Sequence, residues 1–569
     1  MMGGGSTDGL DARQSRALIE HLRAITVLDP CTGSGQFIVS TLNILRRTER
    51  RILREEYNDQ ERIKYAIENQ LYGVDIHPIA VQITRFRFYL ALINAQLSGN
   101  DHFMLDPLIN LETRIVSANS LATRVNDQDD NDLGIHLTDE HLQAWREIRD
   151  KYMHAHGTRE KNEIRVLEAE ARKKIKEDLK FPHPSVTEWL DSEFLGSERV
   201  VTKVGLRLLF GRNHWDIVVG NPPYENTSKN TDAKISAKEN GYQSHSCGDL
   251  YTLFVELCTN LIKDGGGVFT MVVPHSICFA KAKRQIREIC LRHAKSVHLR
   301  TYNNRPVAVF PPHPFIKGGS KGSENVQRVT VISLINKTSV EAERGPTLYS
   351  SCYIGLRADI RKEILGQRPS AIQPDIERWT MAGSNLLVKL LTNMYSETGS
   401  LQQKSGPSEI ITYPPTAGYF LTCIPDELLA SDRRKSLKVP NDENYWPYIC
   451  LLNSGVFHAY WLMVGDAFDV TKSTFDSLRF PPKWVTNEKL RQRAEAIGRE
   501  FCSEAILEKS RSVLQRDGKE FPNYNFVDHV PDLVHAANEI CIEGYDLTQH
   551  KRELEEQIEK LRRFETWEF

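Results

Sequence analysis

The sequence predicts an α/β protein whose N-terminal part forms a parallel or mixed sheet. Short apolar runs that end at Gly, Asp or Pro alternate with segments of helical periodicity over residues 20–337. This alternation is typical of βα units, in which each helix covers a face of the sheet. From about residue 345 the periodicity weakens and Pro, Tyr and Trp accumulate in loops, which indicates a second domain.

Length and composition limit the class of protein. The chain has 569 residues, more than one hydrophobic core supports, so we expect about two to four domains. Hydrophobic residues make up 40% of the chain, and no stretch has the length and apolarity of a membrane span. The cysteines include no CxxC pair, which favours a reducing cytoplasm over a disulfide-bonded or zinc-bound fold. With a net charge of −2, a nucleic-acid partner must be bound by a local basic face.

The first predicted βα unit carries a glycine-containing loop. Apolar residues fall at helical spacing in residues 6–25, and Thr26–Leu28 form a short apolar run that Asp29 closes. Gly33 and Gly35 allow a ligand to approach the backbone, and the start of the next helix offers free N–H groups. This arrangement suits a nucleoside-type cofactor, although many other βα turns contain a GxG.

Polar residues also close the second and third predicted strands. Residues 71–74 end at Asp75, whose carboxylate could accept both hydroxyls of a ribose. The alternative is that Asp75 only caps a helix that begins near Ile79. Residues 114–117 lead to Asn119, whose amide could bind an adenine edge or could simply stabilise a turn.

Residues 126–200 interrupt this pattern. An acidic loop at 126–132 precedes a strongly charged segment, 139–180, with apolar residues at near-helical spacing, which predicts a helical hairpin. Acidic residues are interleaved with its basic ones, so a solvated helix face is favoured over a DNA contact. The basic residues are Arg159, Lys161, Arg165, Arg172, Lys173, Lys174 and Lys176.

The central motif is Asn221-Pro222-Pro223-Tyr224, directly after the apolar run 215–220. Proline restricts Asn221 to an extended conformation and stiffens the loop. The Asn221 amide oxygen and the Pro222 carbonyl oxygen are adjacent acceptors that can hold both hydrogens of an amino group. The Tyr224 ring can stack on a flat heterocycle. The alternative is an ordinary proline-rich loop after a strand.

The remaining segments continue the alternation and then depart from it. Helices are predicted at 248–261 and 284–291, and strands at 268–274, 296–299 and 328–335, the last of these being the final strand of the sheet. In the second domain we predict one helix at 449–462 and a mostly helical region at 487–569. Its apolar stripe, Leu554, Ile558 and Leu561, indicates packing within the chain or, as the alternative, a partner subunit.

The order of the motifs carries a resemblance to a known family. The motifs are Asp29-Pro-Cys-Thr-Gly-Ser-Gly, Tyr72-Gly-Val-Asp75, Ala118-Asn119-Ser-Leu, Asn221-Pro-Pro-Tyr224, Asp249-Leu-Tyr, Gly265-Gly-Gly to Pro274, and Val309-Phe310-Pro. In this order they resemble the S-adenosylmethionine-dependent DNA N6-adenine methyltransferases of the gamma group, above all those of type II restriction–modification systems. The resemblance covers roughly residues 20–340, and the segment from Leu452 to Pro482 resembles the recognition segment of the same group.

The resemblance implies a fold and a division into domains. The expected fold is a Rossmann-like, mixed, seven-stranded methyltransferase sheet with a helical insertion, followed by an α+β target-recognition domain and a helical tail. The expected domains are a cofactor-binding half (1–125), a charged helical insertion (126–200), a catalytic half (201–340), a target-recognition domain (345–485) and a helical C-terminal region (486–569).

The resemblance also implies roles for individual residues. Asp75 would bind the ribose hydroxyls of S-adenosyl-L-methionine, Ile76 would pack on its adenine ring, and Asn119 would bind its adenine amine, with Ser120 also at the cofactor. The loop implied to hold the methionine part contains Asp29, Cys31, Thr32, Gly33, Gly35 and Phe37.

On the target side, the resemblance implies that Asn221 and the Pro222 carbonyl hold the N6 amine of a flipped adenine. Tyr224 and Phe310 would stack on that base, and Tyr251 and Pro274 lie in motifs that shape the same pocket. The expected reaction is direct in-line methyl transfer, which requires no cysteine nucleophile. The alternatives are a non-catalytic DNA-recognition subunit and a methyltransferase that acts on RNA adenine or on protein glutamine.

The implied partners are double-stranded DNA and a companion restriction endonuclease, with no membrane. The implied location is the cytoplasm of a bacterium or archaeon, in association with the nucleoid. Family members usually carry a Thr-Pro motif upstream of the first glycine loop, and no such dipeptide precedes Asp29. We therefore expect either that Ser6-Thr7 and the first helix replace it, or that the chain is an N-terminally shortened form.

Overall fold

The computed structural model describes most of the chain, and it divides into two compact units. Unit 1 comprises Met1–Val273, Ala282–Val297 and Ile332–Pro346, and unit 2 comprises Pro274–Lys281, His298–Val331 and Thr347–Phe569. The described residues are 11–99, 109–122, 139–178, 206–227, 235, 237–303, 328–338, 345–354, 370–372, 378–395, 407–415, 421–428, 434–465, 470–516 and 519–563.

The elements of unit 1 follow the predicted βα alternation. Its helices are α1 (Ala12–Ala24), α2 (Gln36–Leu53), α3 (Asp59–Asn69), α4 (Pro78–Gly99), α5 (Asp139–His154), α6 (Thr158–Asp178), α7 (Leu206–Phe210), α8 (Leu250–Leu261) and α9 (Arg284–His293). Its strands are β1 (Val27–Asp29), β2 (Leu71–Asp75), β3 (Ile115–Ser117), β4 (Ile217–Gly220) and β5 (Val268–Pro274). The last residue of β5, Pro274, belongs to unit 2, and the strands β6 (Ala294–Tyr302) and β7 (Val329–Asn336) also contribute residues to both units.

The sheet confirms the mixed α/β fold but not the strand count. With β8 (Thr347–Ile354) and β9 (Ser370–Ile372), its order is β3-β2-β1-β4-β5-β7-β6-β8-β9. The described residues thus form nine strands of this sheet, and the predicted count of seven is wrong. Strands β1 to β5 pair in parallel, whereas β8 and β9 are antiparallel. We missed β8 because Ser350 and Ser351 break its apolar run. Both serines are buried, and their hydroxyls accept hydrogen bonds from the amides of Ala382 and Thr301.

The core of unit 1 lies where α1 to α4 cover β1, β2 and β3. The helices present apolar stripes to the strands, as their periodicity predicts. The core includes Val27 of β1 and residues from each covering helix, among them Leu22, Leu42, Ile63 and Phe88. In this way the helices hold the strand ends, and the loops that follow them, at fixed positions.

The charged hairpin is present as α5 and α6, which confirms the predicted helices. Most of its basic residues are exposed, as expected for a solvated face. Two are engaged inside unit 1: Arg172 is buried beside Glu168, and Lys161 donates to the Asn110 side-chain oxygen at 2.6 Å. The buried Arg149 on α5 donates to the Thr113 carbonyl oxygen next to β3. The hairpin is therefore anchored beside the edge strand of the sheet.

Unit 2 combines helices with small antiparallel sheets. Its helices are α10 (Asn385–Met394), α11 (Tyr445–Leu452), α12 (Gly455–Val464), α13 (Lys472–Asp476), α14 (Pro482–Thr486), α15 (Glu488–Phe501), α16 (Glu504–Ser510), α17 (Phe526–His529), α18 (Pro531–Gly544) and α19 (Lys551–Arg563). Its further strands are β10 (Ser408–Tyr413), β11 (Ile424–Pro425), β12 (Lys435–Pro440), β13 (Arg511–Arg516) and β14 (Lys519–Tyr524).

Two predictions for unit 2 are corrected and one is confirmed. The single helix predicted at 449–462 is two helices, because the Ser454 side chain caps α12 by accepting from the Phe457 amide at 3.1 Å. The region predicted as mostly helical also contains the hairpin β13–β14. The stripe on α19 is buried, with Leu554 0% and Ile558 3% exposed, which confirms packing within the chain. Within the described residues, no helix has both the length and the apolarity needed to cross a membrane.

Candidate functional site

The strand order defines where the candidate site lies. In the strand order, β2 is the neighbour of β1 on one side and β4 is its neighbour on the other side. The order therefore reverses at β1. In parallel α/β sheets, ligands bind outside the carboxyl ends of the strands where the order reverses in this way. Asp29 ends β1 and Gly220 ends β4. The loops that follow them, the β1 loop (residues 30–35) and the β4 loop (residues 221–227), therefore flank this point.

These two loops are in direct contact. A Cβ atom at Gly220 would lie 2.8 Å from the Cys31 Sγ and 3.3 Å from the Asp29 Oδ1. The backbone of Asn221 is close enough to the Cys31 sulfur to act on it as a hydrogen-bond donor. A side chain at position 220 would force the Cys31 side chain to shift, because its sulfur occupies that space. The structure thus brings Asp29, Cys31 and Asn221 together at one edge of the sheet.

The two glycines of the β1 loop have different surroundings. Both have left-handed backbone angles, with φ of +52° at Gly33 and +83° at Gly35. A Cβ atom at Gly35 would lie 2.7 Å from the Thr84 side chain on α4, whereas one at Gly33 would have no atom within 4 Å. Gly35 is therefore required by packing. Gly33 borders open space in which a ligand can approach its backbone.

Asp75 is oriented by backbone donors on both sides. One carboxylate oxygen accepts from the Gly33 amide at 2.8 Å and the other from the His77 amide at 2.9 Å. The hydrogen bond from the His77 amide is of the kind that the helix-capping alternative predicts. The hydrogen bond from the Gly33 amide joins β2 to the β1 loop. Each carboxylate oxygen retains acceptor capacity after one such bond. Asp75 can therefore bind a diol as well as hold the loop.

Asp29 is buried with one unsatisfied oxygen. Its Oδ1 accepts from the Cys31 amide at 3.1 Å, and its Oδ2 has no hydrogen-bond partner among the described residues. The pKa of Asp29 is raised to about 7, mainly by burial and to a smaller extent by the nearby Asp75 carboxylate. A buried carboxylate oxygen without a partner indicates the position of a donor from a ligand.

The remaining predicted cofactor residues surround this loop. Ser120 is buried and its hydroxyl donates to the Pro30 carbonyl oxygen at 2.5 Å, which joins the turn after β3 to the β1 loop. The Asn119 side-chain oxygen accepts from the Leu121 amide at 3.1 Å, as in the turn alternative. Ile76 is 56% exposed next to Asp75. Thr32 is buried, and Phe37, in the first turn of α2, is half-buried.

The thiol of Cys31 is not activated. Burial raises the pKa of Cys31 well above its ordinary value, and the adjacent Asp29 carboxylate raises it further. The thiol therefore stays protonated near neutral pH. This agrees with the absence of a catalytic role for Cys31 in the sequence-based hypothesis.

In the β4 loop, the Tyr224 hydroxyl contacts the Asn221 side chain. It lies 2.8 Å from the Asn221 Oδ1 and 2.9 Å from the Val272 carbonyl oxygen. Burial raises the pKa of Tyr224 above its ordinary value, so the hydroxyl remains a donor. Its ring packs edge-on against Tyr251 with centroids 6.4 Å apart. Pro222 is buried, which fixes the backbone between the amide and the ring.

The other two predicted target residues are Phe310 and Pro274. Phe310 lies outside the described residues, as do Ser6 and Thr7. Pro274 ends β5 and belongs to unit 2. The observed cluster of Asn221, Tyr224 and Tyr251 lies entirely in unit 1.

Two buried charged residues of unit 1, Glu256 and Lys283, were not identified from the sequence. Glu256 is 2% exposed and accepts from the amides of Gln243 and Ser244 at 2.9 and 2.8 Å. Lys283 is 4% exposed and pairs with Asp249. A signal for Glu256 was available, because it is the only charged residue in the otherwise apolar α8 segment. Lys283 carried no such signal, since it lies among other basic residues.

Comparison with protein families finds a match for the central part of the chain. Residues 69–309 match the family described as Eco57I restriction-modification methylase. This segment is similar to that family over about two fifths of the chain. The matched range contains Asp75, Asn119 and the β4 loop, whereas the β1 loop precedes it.

Two curated relatives match the chain in part. A putative type II restriction enzyme and methyltransferase of Methanocaldococcus jannaschii is 31% identical over 156 residues, covering 26% of this chain and 13% of the relative. The adenine-specific methyltransferase PglX of Lacticaseibacillus casei is 24% identical over 277 residues, covering 47% of this chain and 21% of the relative. The chain therefore spans about a fifth or less of the length of each relative.

Among solved structures, the Type IIL restriction-modification enzyme MmeI in complex with DNA aligns with 96% of this chain and 74% of its own. The sequence identity is 12% and the TM-score is 0.43. The M protein of the type I restriction enzyme EcoKI aligns with 60% of this chain and 49% of its own, at a TM-score of 0.27.

Proposed function

We propose that this chain is a site-specific DNA methyltransferase of a restriction–modification system. It would transfer a methyl group from S-adenosyl-L-methionine to the N6 amine of a flipped adenine. The observation that carries this proposal is the contact between the β1 loop and the β4 loop at the strand-order reversal of the methylase domain. An acidic, glycine-containing loop and an Asn-Pro-Pro-Tyr loop then face one site, as transfer between two bound groups requires.

The residues present fit the proposed cofactor. The unsatisfied Asp29 Oδ2 offers a buried acceptor for an ammonium group, and the open space at Gly33 admits a ligand to the backbone. Asp29 and the β1 loop would hold the methionine part, with Phe37 beside it. Asp75 would hold the ribose hydroxyls, and Ile76 and Asn119 would contact the adenine. When bound, the cofactor supplies an electrophilic methyl group.

The β4 loop would prepare the target nitrogen. The lone pair of an aromatic amine is conjugated with its ring, so the amine is a weak nucleophile. Acceptors at the Asn221 side chain and the Pro222 carbonyl would bind both amine hydrogens, favour a tetrahedral nitrogen and stabilise its developing positive charge. The Tyr224 ring would stack on the flipped base and offset part of the cost of unstacking, which is a few kcal/mol.

The DNA partner and the domain roles complete the proposal. Double-stranded DNA would be read by residues 345–485, with the helical region 486–569 as their support. The charged hairpin would stabilise the sheet edge, since Arg149 and Lys161 are engaged with neighbouring residues of unit 1. A companion restriction endonuclease would cut DNA that lacks the N6-methyl group. The proposed location is the cytoplasm, in association with the nucleoid.

The test is to follow the methyl label. The protein is incubated with S-adenosylmethionine tritiated in its methyl group, together with double-stranded DNA, RNA or a protein extract. We expect label in DNA, recovered as N6-methyladenine by mass spectrometry of digested nucleosides, and none with Asn221→Ala. Label in RNA or in protein glutamine would replace DNA as the substrate. Cofactor binding without any transfer would indicate a non-catalytic recognition subunit.

A further inference from the structure

A buried lysine, Lys283, contacts the segment that pairs with the β4 loop. Lys283 precedes α9, and its ammonium nitrogen lies 2.5 Å from an Asp249 carboxylate oxygen. The same ammonium donates to the Cys247 carbonyl oxygen and lies 5.5 Å from the centre of the Tyr251 ring. A buried ammonium is costly unless its charge and its hydrogen bonds are satisfied. These contacts therefore fix Lys283 to one segment, residues 247–251.

The segment that Lys283 holds pairs with the end of the β4 loop. The Thr227 amide donates to the Gly248 carbonyl oxygen at 3.0 Å, and the Leu250 amide donates to the Glu225 carbonyl oxygen at 2.8 Å. Asn226 and Asp249 form an antiparallel bridge between these two bonds. The backbone directly after Tyr224 is thus held by the residues that Lys283 holds.

The aromatic rings provide a second route to the same loop. Lys283 faces the Tyr251 ring, and this ring packs edge-on against Tyr224 at an interplanar angle of 83°. The Tyr224 hydroxyl in turn contacts the Asn221 side chain at 2.8 Å. A shift of Tyr251 would therefore reach Asn221 through direct contacts.

We infer that Lys283 is a positioning residue for methyl transfer: it clamps residues 247–251 and thereby fixes Asn221 and Tyr224. The inference rests on the proposed function, because it deepens the account of the same site. Lys283 contacts neither Asn221 nor the β1 loop in these interactions, so it acts through geometry. A displacement of about 1 Å at a reacting group can lower the rate about 100-fold. The β1 loop is held separately by Asp75.

The test compares two substitutions of Lys283 with a control. Lys283→Met removes the charge but keeps an unbranched side chain, and Lys283→Arg keeps the charge. Lys263→Met is the control, because Lys263 pairs with Asp216 in the same unit at 3.7 Å but is 68% exposed. We expect Lys283→Met to lower kcat about 10- to 100-fold with an unchanged Kd for S-adenosylmethionine. Lys283→Arg should recover most of the loss, and Lys263→Met should match the wild type. Wild-type kcat in Lys283→Met would overturn the inference.

A double variant covers the case in which Lys283→Met fails to fold. Asp249→Asn combined with Lys283→Met removes both charges and leaves no buried ion without its partner. We expect this variant to fold and still to show the low kcat, since the clamp is absent. A folded double variant with wild-type kcat would also overturn the inference.

Hydrogen exchange separates this inference from the proposed function. The amides of Thr227 and Leu250 should exchange faster in Lys283→Met, and as slowly as in the wild type in Lys283→Arg and Lys263→Met. This readout needs no activity. If the wild type transfers no methyl group to adenine but these amides lose protection, the proposed function fails and the clamp stands. Unchanged exchange at both amides in Lys283→Met would refute the clamp itself.

Discussion

The β1 loop and the β4 loop end neighbouring strands, yet they are held in different ways. The β1 loop is held by the adjacent strand, because the Val74 carbonyl oxygen accepts from the Thr32 amide and Asp75 accepts from the Gly33 amide. The β4 loop is held by the segment before α8 and, through it, by Lys283. The first loop thus depends on the adjacent strand and on Thr84 of α4, whose hydroxyl donates to the Gly33 carbonyl oxygen at 3.0 Å, whereas the second depends on the segment that Lys283 holds.

This difference separates the two halves of the proposed reaction. Changes in the β1 loop should act on cofactor affinity and stability, and changes in the β4 loop should act on turnover and base capture. Five predictions test this separation, with the largest expected effect first.

Asn221→Ala should abolish most methyl transfer while DNA and cofactor binding remain. Loss of one acceptor for a developing charge costs about 10²- to 10³-fold in kcat. The measurement is single-turnover methyl transfer, with DNA affinity from a mobility shift and cofactor affinity from calorimetry. An equal loss of transfer and of DNA binding would show that Asn221 supports the fold rather than the reaction.

Tyr224→Ala should weaken capture of the flipped base, and Tyr224→Phe should do so much less. Stacking contributes roughly 1–3 kcal/mol per base, and phenylalanine keeps the ring. A single hydroxyl proton serves only one acceptor at a time, so Asn221 and Val272 do not both depend on it. The measurement is the fluorescence of 2-aminopurine placed at the target position. An unchanged signal in Tyr224→Ala would remove the stacking role.

Alanine at the two glycines of the β1 loop should give different defects. Both variants carry the strain of a positive φ, about 1–2 kcal/mol, but only Gly35→Ala also clashes with Thr84. We expect Gly35→Ala to lower the free energy of unfolding more, as measured by urea denaturation. Gly33→Ala should mainly weaken S-adenosylmethionine binding, since its new methyl group enters open space. Equal stability with equal cofactor affinity in both variants would contradict the assignment of that space to a ligand.

Asp29 should make stability depend on pH near neutrality. Its pKa is raised from 3.8 to about 7 in the folded protein, so folding favours the protonated carboxyl. Its contribution to the free energy of unfolding is fully present below about pH 4 and is lost as the pH rises through about 7. Over this range the free energy of unfolding should fall by at most about 1.4 kcal/mol per pH unit. Urea denaturation of the wild type and of Asp29→Asn across this range measures the difference. Parallel curves would show that Asp29 does not titrate there.

The cofactor should change this dependence. An ammonium group beside Asp29 favours the ionised carboxylate and so lowers its pKa. Saturating S-adenosylmethionine should therefore move the pH-dependent window of the wild type towards lower pH and leave Asp29→Asn unaffected. If this pH range does not move, the methionine part of the cofactor does not bind beside Asp29.

The sequence predicted the βα alternation, the ends of β1, β2 and β4, and the helical hairpin within a few residues. These succeeded because a parallel sheet buries continuous apolar runs and places polar residues at their carboxyl ends. It failed at β8, where buried serines replace apolar residues, and at α11–α12, where Ser454 starts a new helix inside an apolar stretch. In both places a buried serine hydroxyl accepts a hydrogen bond from a backbone amide. In β8 the amide belongs to a distant segment, and at Ser454 it belongs to the first turn of α12. Hydrophobic periodicity does not predict such hydrogen bonds.

The sequence alone predicted which residues would carry the chemistry, because acidic, amide and glycine positions at strand ends follow from local patterning. Only the tertiary structure decided that Gly220 brings the end of β4 against Cys31 and Asp29, that Gly33 rather than Gly35 borders open space, and that Lys283 supports the β4 loop. Each of these depends on distances between segments far apart in the chain. Such distances are set by how α4, α8 and α9 pack on the sheet, and no local pattern encodes that packing.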